Sequence, residues 1–538
     1  MVAVLLLCFV VIYYVFVIKH DTNFPSNEKN IYTKSASQSK ESDSIHRNAT
    51  SESSHSNIYD KDPEKEGSCD KNFIGKSETE HIVLDEKQQE VLDFVSSGIK
   101  RLLVLGSAGT GKSTIIRKIK EKLETQNKNV MLMAPTGIAA INIGGTTIHS
   151  QLEISTAVAP AKVLIHSFQL QALLERTDTI IIDEVSMLRS DLMDAILKRI
   201  YNYNPQIQLI LVGDLMQLPP VLSSKDIMPF IKAGYDSKIP YFIDSIRKES
   251  FKVCILDSYH RHVPGLFLDC LNHIRNGEKL AQVIEIFNNY CYVRKTDRQP
   301  FIFLNTTNKM ADSINEFRLN AINSQLVICK AKIERYIETA KTNIANEFPS
   351  PLLLKIKVGA QVMITKNIYL NPLSKDDIVP NGALAIITDI KPFSIEVKLI
   401  TVKPNSKLIL YPVTWNKKRY VINPITKELN QVTEVSFTQY PIKLAWAITI
   451  HKSQGLTLQN YAIDLGINQF TDNLAYVAFS RGKSFEDITL LRPLKIEDIK
   501  YNQKMIDFIA CMEKNKNTMK QNEQNSSINY ENNYLKLS

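Results

Sequence analysis

The segment Leu102–Ile116, LLVLGSAGTGKSTII, is the part of the chain from which the fold can be predicted most directly. Its apolar start, Leu102–Leu105, predicts a short buried strand, and a helical pattern begins at Thr114. The spacing Gly-x-x-x-x-Gly-Lys-Ser from Gly106 to Ser113 is typical of a phosphate-binding loop. Glycines let such a loop curl, so that backbone amides and a helix N-terminus face an anion. An ordinary glycine-rich turn is the alternative, but the order strand, loop, helix favours phosphate binding.

Composition sets bounds on the rest of the chain. The length of 538 residues predicts about three or four domains, and 44% apolar residues is usual for a globular protein. The net charge of +9 only mildly favours a polyanionic partner. The seven cysteines contain no Cys-x-x-Cys pair, which argues against a disulfide framework and a zinc site. This usage suits a reducing compartment such as the nucleus, the mitochondrion or the bacterial cytoplasm.

Both ends of the chain are predicted to lie outside the folded body. Residues 2–18 are an unbroken apolar run, which as a helix would span about 25 Å, the short limit for crossing a bilayer. A single membrane anchor within residues 1–20 fits this run better than a cleaved secretory signal, and a mis-set start or a fused fragment is the other alternative. Residues 21–80 and the tail 513–538 are rich in polar residues and are predicted to be disordered.

After the loop, apolar strands alternate with helical stretches, which is typical of a parallel sheet with crossover helices. The predicted strands are Val130–Met133, Thr179–Ile182 and Leu209–Val212. Asp183 and Glu184 follow the second strand, and Gln217 follows the third. Because the carboxyl ends of parallel strands meet at one edge, these side chains could share a crevice with Lys112. A solvated turn is the alternative for the acidic pair, and a turn-forming role is the alternative for Gln217.

Two further regions flank these strands. The segment Leu84–Val95 predicts a helix with Asp85 as its N-cap. Gln88 on this helix could read an adenine edge with its amide, although a solvated helix residue is the simpler interpretation. Beyond the strand Ile302–Leu304, short runs separated by Asn, Pro and Gly predict a small β-barrel or sheet insert.

Together these segments resemble one family, the PIF-type 5′-to-3′ DNA helicases of superfamily 1, which are relatives of the RecD-type helicases. The matching segments are LDEKQ, GSAGTGKST, APTGIAA, GGTTIHS, IIDEVSML, VGDLMQLPPV, LKIKVGAQVMITKN with the later NG, LAWAITIHKSQG and YVAFSRGKS. They cover residues 84 to 491 in the order of the family, and in combination they are far more specific than a phosphate loop alone.

The resemblance implies an α/β fold with two RecA-like P-loop NTPase domains, each with a parallel sheet, and small inserted accessory domains. The first domain is expected at residues 81–245, with a small insert near 145–175. The second is expected at 246–354 and 441–500, with a β-rich, barrel-like insert at 355–440.

The resemblance also implies roles for single residues in the use of ATP and Mg²⁺. Gln88 would read adenine, Ser113 and Asp183 would hold Mg²⁺, Glu184 would activate water, and Gln217 would couple the γ-phosphate to motion. The expected nucleotide-binding residues are Gln88, Gly106, Ser107, Ala108, Gly109, Thr110, Gly111, Lys112, Ser113, Thr114, Gln454 and Gly455.

Arg261 and Arg481 resemble the two arginines that neutralise charge on the γ-phosphate from the second domain. The family commonly has Arg-Gln and a polar loop at the first position, whereas this chain has Arg261-His262-Val263-Pro264-Gly265. The residues that match the strand-contacting motifs of the family are Pro135, Thr136, His149, Thr307, Asn308, His451 and Lys452.

The function implied is that of an ATP-dependent helicase, acting as a monomer on single-stranded and tailed duplex DNA in repair, recombination or telomere maintenance. Two alternatives remain: a DNA-stimulated translocase that does not separate strands, and a membrane-tethered nucleotide switch suggested by residues 2–18. RNA remains a possible substrate, because contacts to a nucleic-acid backbone discriminate weakly between sugars.

Overall fold

The computed structural model describes most of the chain between residues 84 and 512. The described residues are 84–158, 167–220, 222–237, 241–243, 246, 249–259, 264–292, 301–336, 347–370, 378–423, 425–426, 428–466 and 471–512. They belong to one compact unit, His81–Ser538. The predicted anchor at 2–18, the linker at 21–80, the tail at 513–538 and Arg261 lie outside the described residues. Within the described part of the chain, no helix is both long and apolar enough to span a bilayer.

The regular elements alternate in the first third of the chain and become mainly β-strands after residue 327. The helices are α1 (Glu86–Ser96), α2 (Lys112–Thr125), α3 (Gly137–Asn142), α4 (Ile148–Gln151), α5 (Phe168–Glu175), α6 (Ser190–Tyr203), α7 (Ser224–Lys232), α8 (Leu266–Asn276), α9 (Leu280–Phe287), α10 (Asn308–Asn320) and α11 (Leu474–Phe479). The strands are β1 (Arg101–Gly106), β2 (Val130–Ala134), β3 (Thr146–Thr147), β4 (Thr179–Ile182), β5 (Gln208–Gly213), β6 (Lys252–Leu256), β7 (Ile302–Asn305), β8 (Val327–Lys330), β9 (Lys332–Arg335), β10 (Leu353–Ile356), β11 (Gln361–Ile364), β12 (Ile368–Tyr369), β13 (Ile378–Val379), β14 (Leu384–Ile390), β15 (Ile395–Leu399), β16 (Lys407–Leu410), β17 (Val413–Ile422), β18 (Leu429–Gln439), β19 (Ile442–Leu444), β20 (Ala447–Thr449), β21 (Tyr461–Ile463) and β22 (Ile488–Leu490).

The first sheet has the order β3-β2-β4-β5-β1-β6, and all of its strands are parallel. Successive residues of β1 enter different apolar clusters, because side chains alternate between the faces of a strand. Leu102 and Val104 pack with Ile115 of α2, whereas Leu103 and Leu105 belong to a second cluster. Covering on both faces explains why the predicted strands are nearly continuous apolar runs. The predicted parallel sheet is thus confirmed.

The second sheet has the order β20-β7-β21-β22, again with parallel strands. One continuous apolar cluster extends from the first sheet to the second, including Ile182 of β4 and Leu304 of β7. The two sheets therefore share one apolar core within this unit.

The first sheet extends further along the chain than the sequence predicted. Strand β6 pairs in parallel with β1, so that Leu256 lies opposite Gly106. The sequence placed the start of the second domain at residue 246, whereas β6 still belongs to the first sheet. The apolar run of β6 was assigned to the second domain, because nothing local in the sequence shows that it pairs with β1.

The β-rich insert is confirmed, but it is larger than the predicted range 355–440. Its five-stranded sheet has the order β16-β15-β14-β11-β19, and its three-stranded sheet has the order β17-β18-β9. Because β8 pairs with β10 and β9 pairs with β18, the β-rich region begins at Val327 and ends with β19 at Leu444. Antiparallel pairing thus recruits strands from both sides of the predicted insert.

The hairpin β17–β18 packs against the first domain. The backbone N–H of Leu132 donates to Tyr420 Oη at 3.1 Å, and the backbone N–H of Tyr420 donates to Gln151 Oε1 at 2.8 Å. Arg419 forms an ion pair with Glu153 at 2.8 Å. These contacts fix the β-rich insert beside the end of β2, where the predicted DNA contacts Pro135 and Thr136 lie.

Candidate functional site

The phosphate loop lies between β1 and α2, as its sequence predicted. Gly109 and Gly111 have φ angles of 91° and 80°, in the left-handed region that favours glycine. A Cβ on Gly106 would overlap Thr110 Oγ1, and this hydroxyl donates to the Ser107 carbonyl at 3.0 Å. The glycines are therefore required by the shape of the loop, which ends at the N-terminus of α2.

Lys112, the first residue of α2, folds back onto its own loop. Its Nζ donates to the carbonyls of Gly106 and Ser107 at 2.9 and 2.8 Å. Burial lowers the pKa of the Lys112 ammonium, and the carboxylates of Asp214 and Glu184 oppose this shift. The ammonium thus lies among carboxylates in a site of low polarity, where it can bind the phosphates of a nucleotide strongly.

A cavity of about 310 Å³ opens beside the loop, within the size range of small-ligand pockets. It joins both halves of the molecule, because Gly455 and Arg481 come from the part of the chain that forms the second sheet. The lining residues are Ala108, Gly109, Gly111, Lys112, Ser113, Thr114, Glu184, Gln217, Gly455 and Arg481. The cavity therefore collects, from five separate segments, residues that the sequence analysis assigned to ATP.

Asp183 and Glu184 follow β4, and Asp183 is buried whereas Glu184 is half-buried. Burial raises the pKa of Asp183, and burial together with the neighbouring Asp183 raises the pKa of Glu184 to about 7. Glu184 Oε2 is buried and has no hydrogen-bond partner among the described residues. Glu184 also has φ 54°, which is uncommon for a residue with a side chain. Such an arrangement can accept a cation or a polarised water.

Gln217 connects the cavity to the second half of the molecule. Gln454 Nε2 donates to Gln217 Oε1 at 3.0 Å, and Asn473 Nδ2 donates to the Gln217 carbonyl at 3.3 Å. Gln217 is 6% exposed, so its side chain is buried beside the cavity, while its backbone N–H donates to the Asp214 carbonyl within the predicted turn.

Arg481 lines the cavity and is 1% exposed. Its guanidinium is anchored by backbone carbonyls, with Nε donating to Val477 at 2.8 Å and Nη1 donating to Ser453 at 3.2 Å. These bonds hold the charge at a fixed place beside the nucleotide cavity.

Gln88 supports the phosphate loop from α1. Asp85 is the N-cap of α1, as predicted, and it forms a capping box with Gln88. Gln88 is 2% exposed, and its Nε2 donates to the Thr110 carbonyl at 3.4 Å. The solvated interpretation of Gln88 is therefore wrong, because the side chain is buried against the loop.

The predicted DNA contacts lie at corresponding edges of the two sheets. Thr136 follows β2 and is the N-cap of α3, and Thr307 follows β7 and is the N-cap of α10. Pro135 and His149 lie on the first edge, because β3 pairs with β2 and leads directly into α4. Asn308, His451 and Lys452 lie on the second edge, because β20 pairs with β7.

The two histidines at these edges are neutral near pH 7. Burial lowers the pKa of His149 to about 4, with a further contribution from Arg189. Burial also lowers the pKa of His451, whose Nε2 is buried without a hydrogen-bond partner among the described residues. Either ring can therefore offer a hydrogen bond or a stacking face to a nucleic acid, whereas Lys452 is exposed and supplies positive charge.

Comparison with known proteins places these features in a family. A family model described as PIF1-like helicase matches residues 83–280. An ATP-dependent DNA helicase Pif1 from Psychrobacter sp. is 30% identical over 463 residues, which cover 75% of this chain and 67% of that protein. The chain belongs to the PIF1-like helicase family. An ATP-dependent DNA helicase PIF1 from Danio rerio is 31% identical over 426 residues, which cover 76% of this chain and 61% of that protein. The chain thus spans about three fifths of the length of this vertebrate family member.

Solved structures agree with this assignment. Bacteroides sp. Pif1 in complex with ADP-AlF4 has a TM-score of 0.69 and 27% identity, covering 81% of this chain and 98% of that chain. The same Bacteroides helicase bound to single-stranded DNA has a TM-score of 0.55 and 28% identity, covering 80% and 97%. The predicted family and RecA-like fold are therefore confirmed, and membership of this ATP-dependent family implies the use of a nucleotide.

The residues of this family member fit a divalent cation that accompanies a nucleotide. Among the described residues, no group of three or more His, Cys, Asp or Glu side chains is arranged to hold a metal ion alone. The buried pair Asp183 and Glu184 instead leaves one carboxylate oxygen without a hydrogen-bond partner among the described residues, near the Ser113 end of the loop. A cation bound there would complete its coordination with phosphate oxygens and water, as Mg²⁺ commonly does.

Sequence reasoning missed a buried polar cluster next to Gln217 in this PIF1-like helicase. Arg275 at the end of α8 and Tyr476 of α11 both donate to the Asp214 carboxylate, at 3.3 Å. An arginine and a tyrosine within apolar helices were the available signal, because such side chains need a polar partner when buried.

Proposed function

We propose that this chain is an ATP-dependent DNA helicase, which translocates 5′-to-3′ on single-stranded DNA and unwinds duplex. The observation that carries the proposal is the hydrogen bond of 3.0 Å between Gln454 Nε2 and Gln217 Oε1. It joins the nucleotide cavity to the segment that carries His451 and Lys452, which are predicted DNA contacts. A nucleotide-dependent movement of Gln217 would therefore reach the DNA-contacting edge of the second sheet through one side chain.

The nucleotide is ATP, bound by the loop amides and by Lys112. Gln88 donates to the Thr110 carbonyl, and this position against the loop supports its contact with adenine. Arg481 and Arg261 act from the second domain and neutralise charge that develops on the γ-phosphate. The position of Arg481 in the lining of the cavity supports this role.

Ser113 and Asp183 would hold Mg²⁺, which when bound neutralises charge on the β- and γ-phosphates. Glu184 accepts the proton of the attacking water, and its unpaired buried oxygen supports this assignment. Gln217 contacts the γ-phosphate. When the γ-phosphate is released, Gln217 transmits the change to Gln454 through the hydrogen bond between the two side chains.

Single-stranded DNA binds along the two sheet edges. The Bacteroides family member has been crystallised with single-stranded DNA, and its relation to this chain supports the assignment. Thr136 and Thr307 contact DNA phosphates beside the helix N-termini that they cap, and Lys452 adds a positive charge. Such contacts carry no base information, so the grip is independent of sequence.

ATP closes the cleft between the two RecA-like domains, because phosphate contacts from both sides are satisfied only when the cleft is shut. Hydrolysis opens the cleft, and the grip on the strand alternates between the two edges. The β-rich insert splits duplex ahead of the moving protein. The cellular role lies in DNA repair, recombination or telomere maintenance.

The test compares wild-type protein with Lys112→Ala on duplexes that carry a 5′ or a 3′ single-stranded tail. Wild type should unwind only the 5′-tailed duplex, and Lys112→Ala should lose ATP hydrolysis and unwinding while it keeps some strand binding. Lys118→Ala on the exposed face of α2 is the matched control, since Lys118 pairs only with Glu121 at the surface. Unwinding by Lys112→Ala would contradict the mechanism.

Two other outcomes distinguish the alternatives. DNA-stimulated hydrolysis without strand separation on either duplex would indicate a translocase. Equal stimulation by single-stranded RNA would extend the substrate beyond DNA, because the sugar would then not be read. Hydrolysis that is indifferent to both nucleic acids would indicate a nucleotide switch instead.

A further inference from the structure

We propose that Asp214, Arg275 and Tyr476 form a charge-balanced network that orients Gln217 and holds the phosphate loop, with Arg275 and Tyr476 acting as positioning residues for ATP hydrolysis. The inference rests on the proposed function, because it concerns the same nucleotide cavity. None of the three residues lines this cavity, so each acts through a residue that does.

Asp214 is the centre of the network. It follows β5 directly and is 1% exposed, so its charge requires hydrogen bonds from protein groups. Its carboxylate accepts from the Met216 N–H at 3.1 Å, from Gln217 Nε2 at 3.4 Å, and from Arg275 Nη2 and Tyr476 Oη at 3.3 Å each. Two of the donors come from its own turn, and the other two come from α8 and α11.

This arrangement determines which end of the Gln217 amide faces the nucleotide. The Nε2 group donates one hydrogen to Asp214, and Oε1 accepts from Gln454. The remaining hydrogen of Nε2 is then the group that Gln217 can offer to the cavity. Gln217 would therefore donate to a phosphate oxygen rather than accept from water, and Asp214 enforces this choice.

Tyr476 extends the network to the phosphate loop. Its hydroxyl donates to Asp214, and the nearby backbone N–H of Ala108 opposes the rise that burial causes in the pKa of Tyr476. Ala108 lies in the loop and lines the cavity. The hydroxyl thus lies beside the loop, on α11, the helix that ends two residues before Arg481.

Arg275 supplies the charge balance. The Asp214 carboxylate raises the pKa of Lys112 more than any other charge does, and Arg275 acts on Lys112 in the opposite direction. Both Asp214 and Arg275 are thus close enough to influence the residue that binds phosphate. Without Arg275, the Asp214 carboxylate would be uncompensated near Lys112, and its negative charge would weaken the binding of the triphosphate.

The first experiment is a charge-swap cycle on steady-state ATP hydrolysis with saturating single-stranded DNA. Arg275→Gln should raise the KM for ATP about tenfold, the scale expected for contacting charged residues. The double variant Asp214→Asn with Arg275→Gln removes both charges and should return the KM to within about threefold of wild type. A purely structural role predicts that the KM for ATP of the double variant is higher than that of Arg275→Gln, because the effects of two losses of packing would add.

The second experiment needs no charged substitution. Tyr476→Phe keeps the ring but removes the hydrogen bond of 3.3 Å to the Asp214 carboxylate, so we expect kcat to fall about tenfold. Tyr235→Phe is the matched control, because its hydroxyl donates to Asp194 at 2.8 Å, and kcat should change less than about twofold. Melting temperatures of all variants check that each one is folded.

Either of two results overturns the inference: a double variant whose KM is no lower than that of Arg275→Gln, or a Tyr476→Phe variant whose kcat matches that of Tyr235→Phe. If Arg275→Gln does not fold, the tyrosine pair decides alone. A wild-type protein without DNA-stimulated hydrolysis would instead refute the proposed function, so the two failures are distinguishable.

Discussion

Replacing Gln454 by Ala should lower the rate of ATP hydrolysis stimulated by single-stranded DNA. The substitution removes the hydrogen bond of 3.0 Å to Gln217 Oε1, which is partly buried and joins the two halves of the nucleotide cavity. A neutral hydrogen bond of this kind contributes a net of about 1 kcal/mol. This free energy corresponds to about a fivefold change in kcat, since about 1.4 kcal/mol is tenfold.

The assay is a double-mutant cycle between Gln454→Ala and Gln217→Ala, with hydrolysis measured at saturating single-stranded DNA. Gln217 also donates to Asp214, so its variant should lose more activity than Gln454→Ala. If the two side chains act through their shared bond, adding Gln454→Ala to Gln217→Ala should cause little further loss. Gln459→Ala serves as the control, because this exposed residue lies five positions further along and does not line the nucleotide cavity.

The coupling is refuted if the two substitutions affect the rate of ATP hydrolysis independently of each other. If the double variant is slower than Gln217→Ala by the full factor measured for Gln454→Ala alone, the effects multiply and the bond transmits nothing. A loss in Gln459→Ala equal to that in Gln454→Ala would show that any change in this loop is harmful. Both results can be obtained from the same kinetic experiment.

Three further substitutions test other parts of the structure. Gly106→Ala places a Cβ against Thr110 and 3.1 Å from Leu256, so the phosphate loop should distort and ATP affinity, measured by fluorescent nucleotide titration, should fall by at least about tenfold. Tyr420→Phe removes the acceptor for the backbone N–H of Leu132, and denaturant unfolding should show a loss of about 1–3 kcal/mol. His149 has its pKa lowered to about 4, so the unfolded chain binds its proton first as pH falls. As the pH falls from about 6.5 to 4, the free energy of unfolding should therefore decrease by at most about 1.4 kcal/mol per pH unit, and His149→Gln should flatten this slope in pH-dependent unfolding. The three predictions would be contradicted, respectively, by unchanged ATP affinity in Gly106→Ala, unchanged stability in Tyr420→Phe and an unchanged pH slope in His149→Gln.

The sequence predicted best those features that depend on neighbouring residues. The strand Thr179–Ile182 was predicted with its observed ends, and Asp85 was recognised as an N-cap. Both signals are local, because a buried parallel strand is a continuous apolar run and a cap acts within one helical turn. The collection of Lys112, Glu184 and Gln217 around one cavity also followed, since parallel strands bring their carboxyl ends together.

The features that the sequence did not predict depend on residues far apart in the chain. Arg275 lies 61 positions from Asp214 and Tyr476 lies 262 positions from it, so no spacing rule connects them. The apolar run of β6 was assigned to the second domain because nothing local in the sequence shows that it pairs with β1. The early start of the β-rich region at Val327 follows from pairing with β10, which only tertiary structure reveals.

The position of β6 explains why the connection between the domains reaches the nucleotide site. Because Leu256 pairs with Gly106, the chain leaves the first sheet directly beside the strand that leads into the phosphate loop. The following helix α8 places Arg275 next to Asp214, which follows β5. In the first sheet, β5 is separated from β6 by the single strand β1. The segment between the two domains thus contacts, through Arg275, the Asp214 carboxylate that orients Gln217. In the proposed mechanism, a movement of the second domain would therefore change two contacts at once, the hydrogen bond between Gln454 and Gln217 and the ion pair between Arg275 and Asp214.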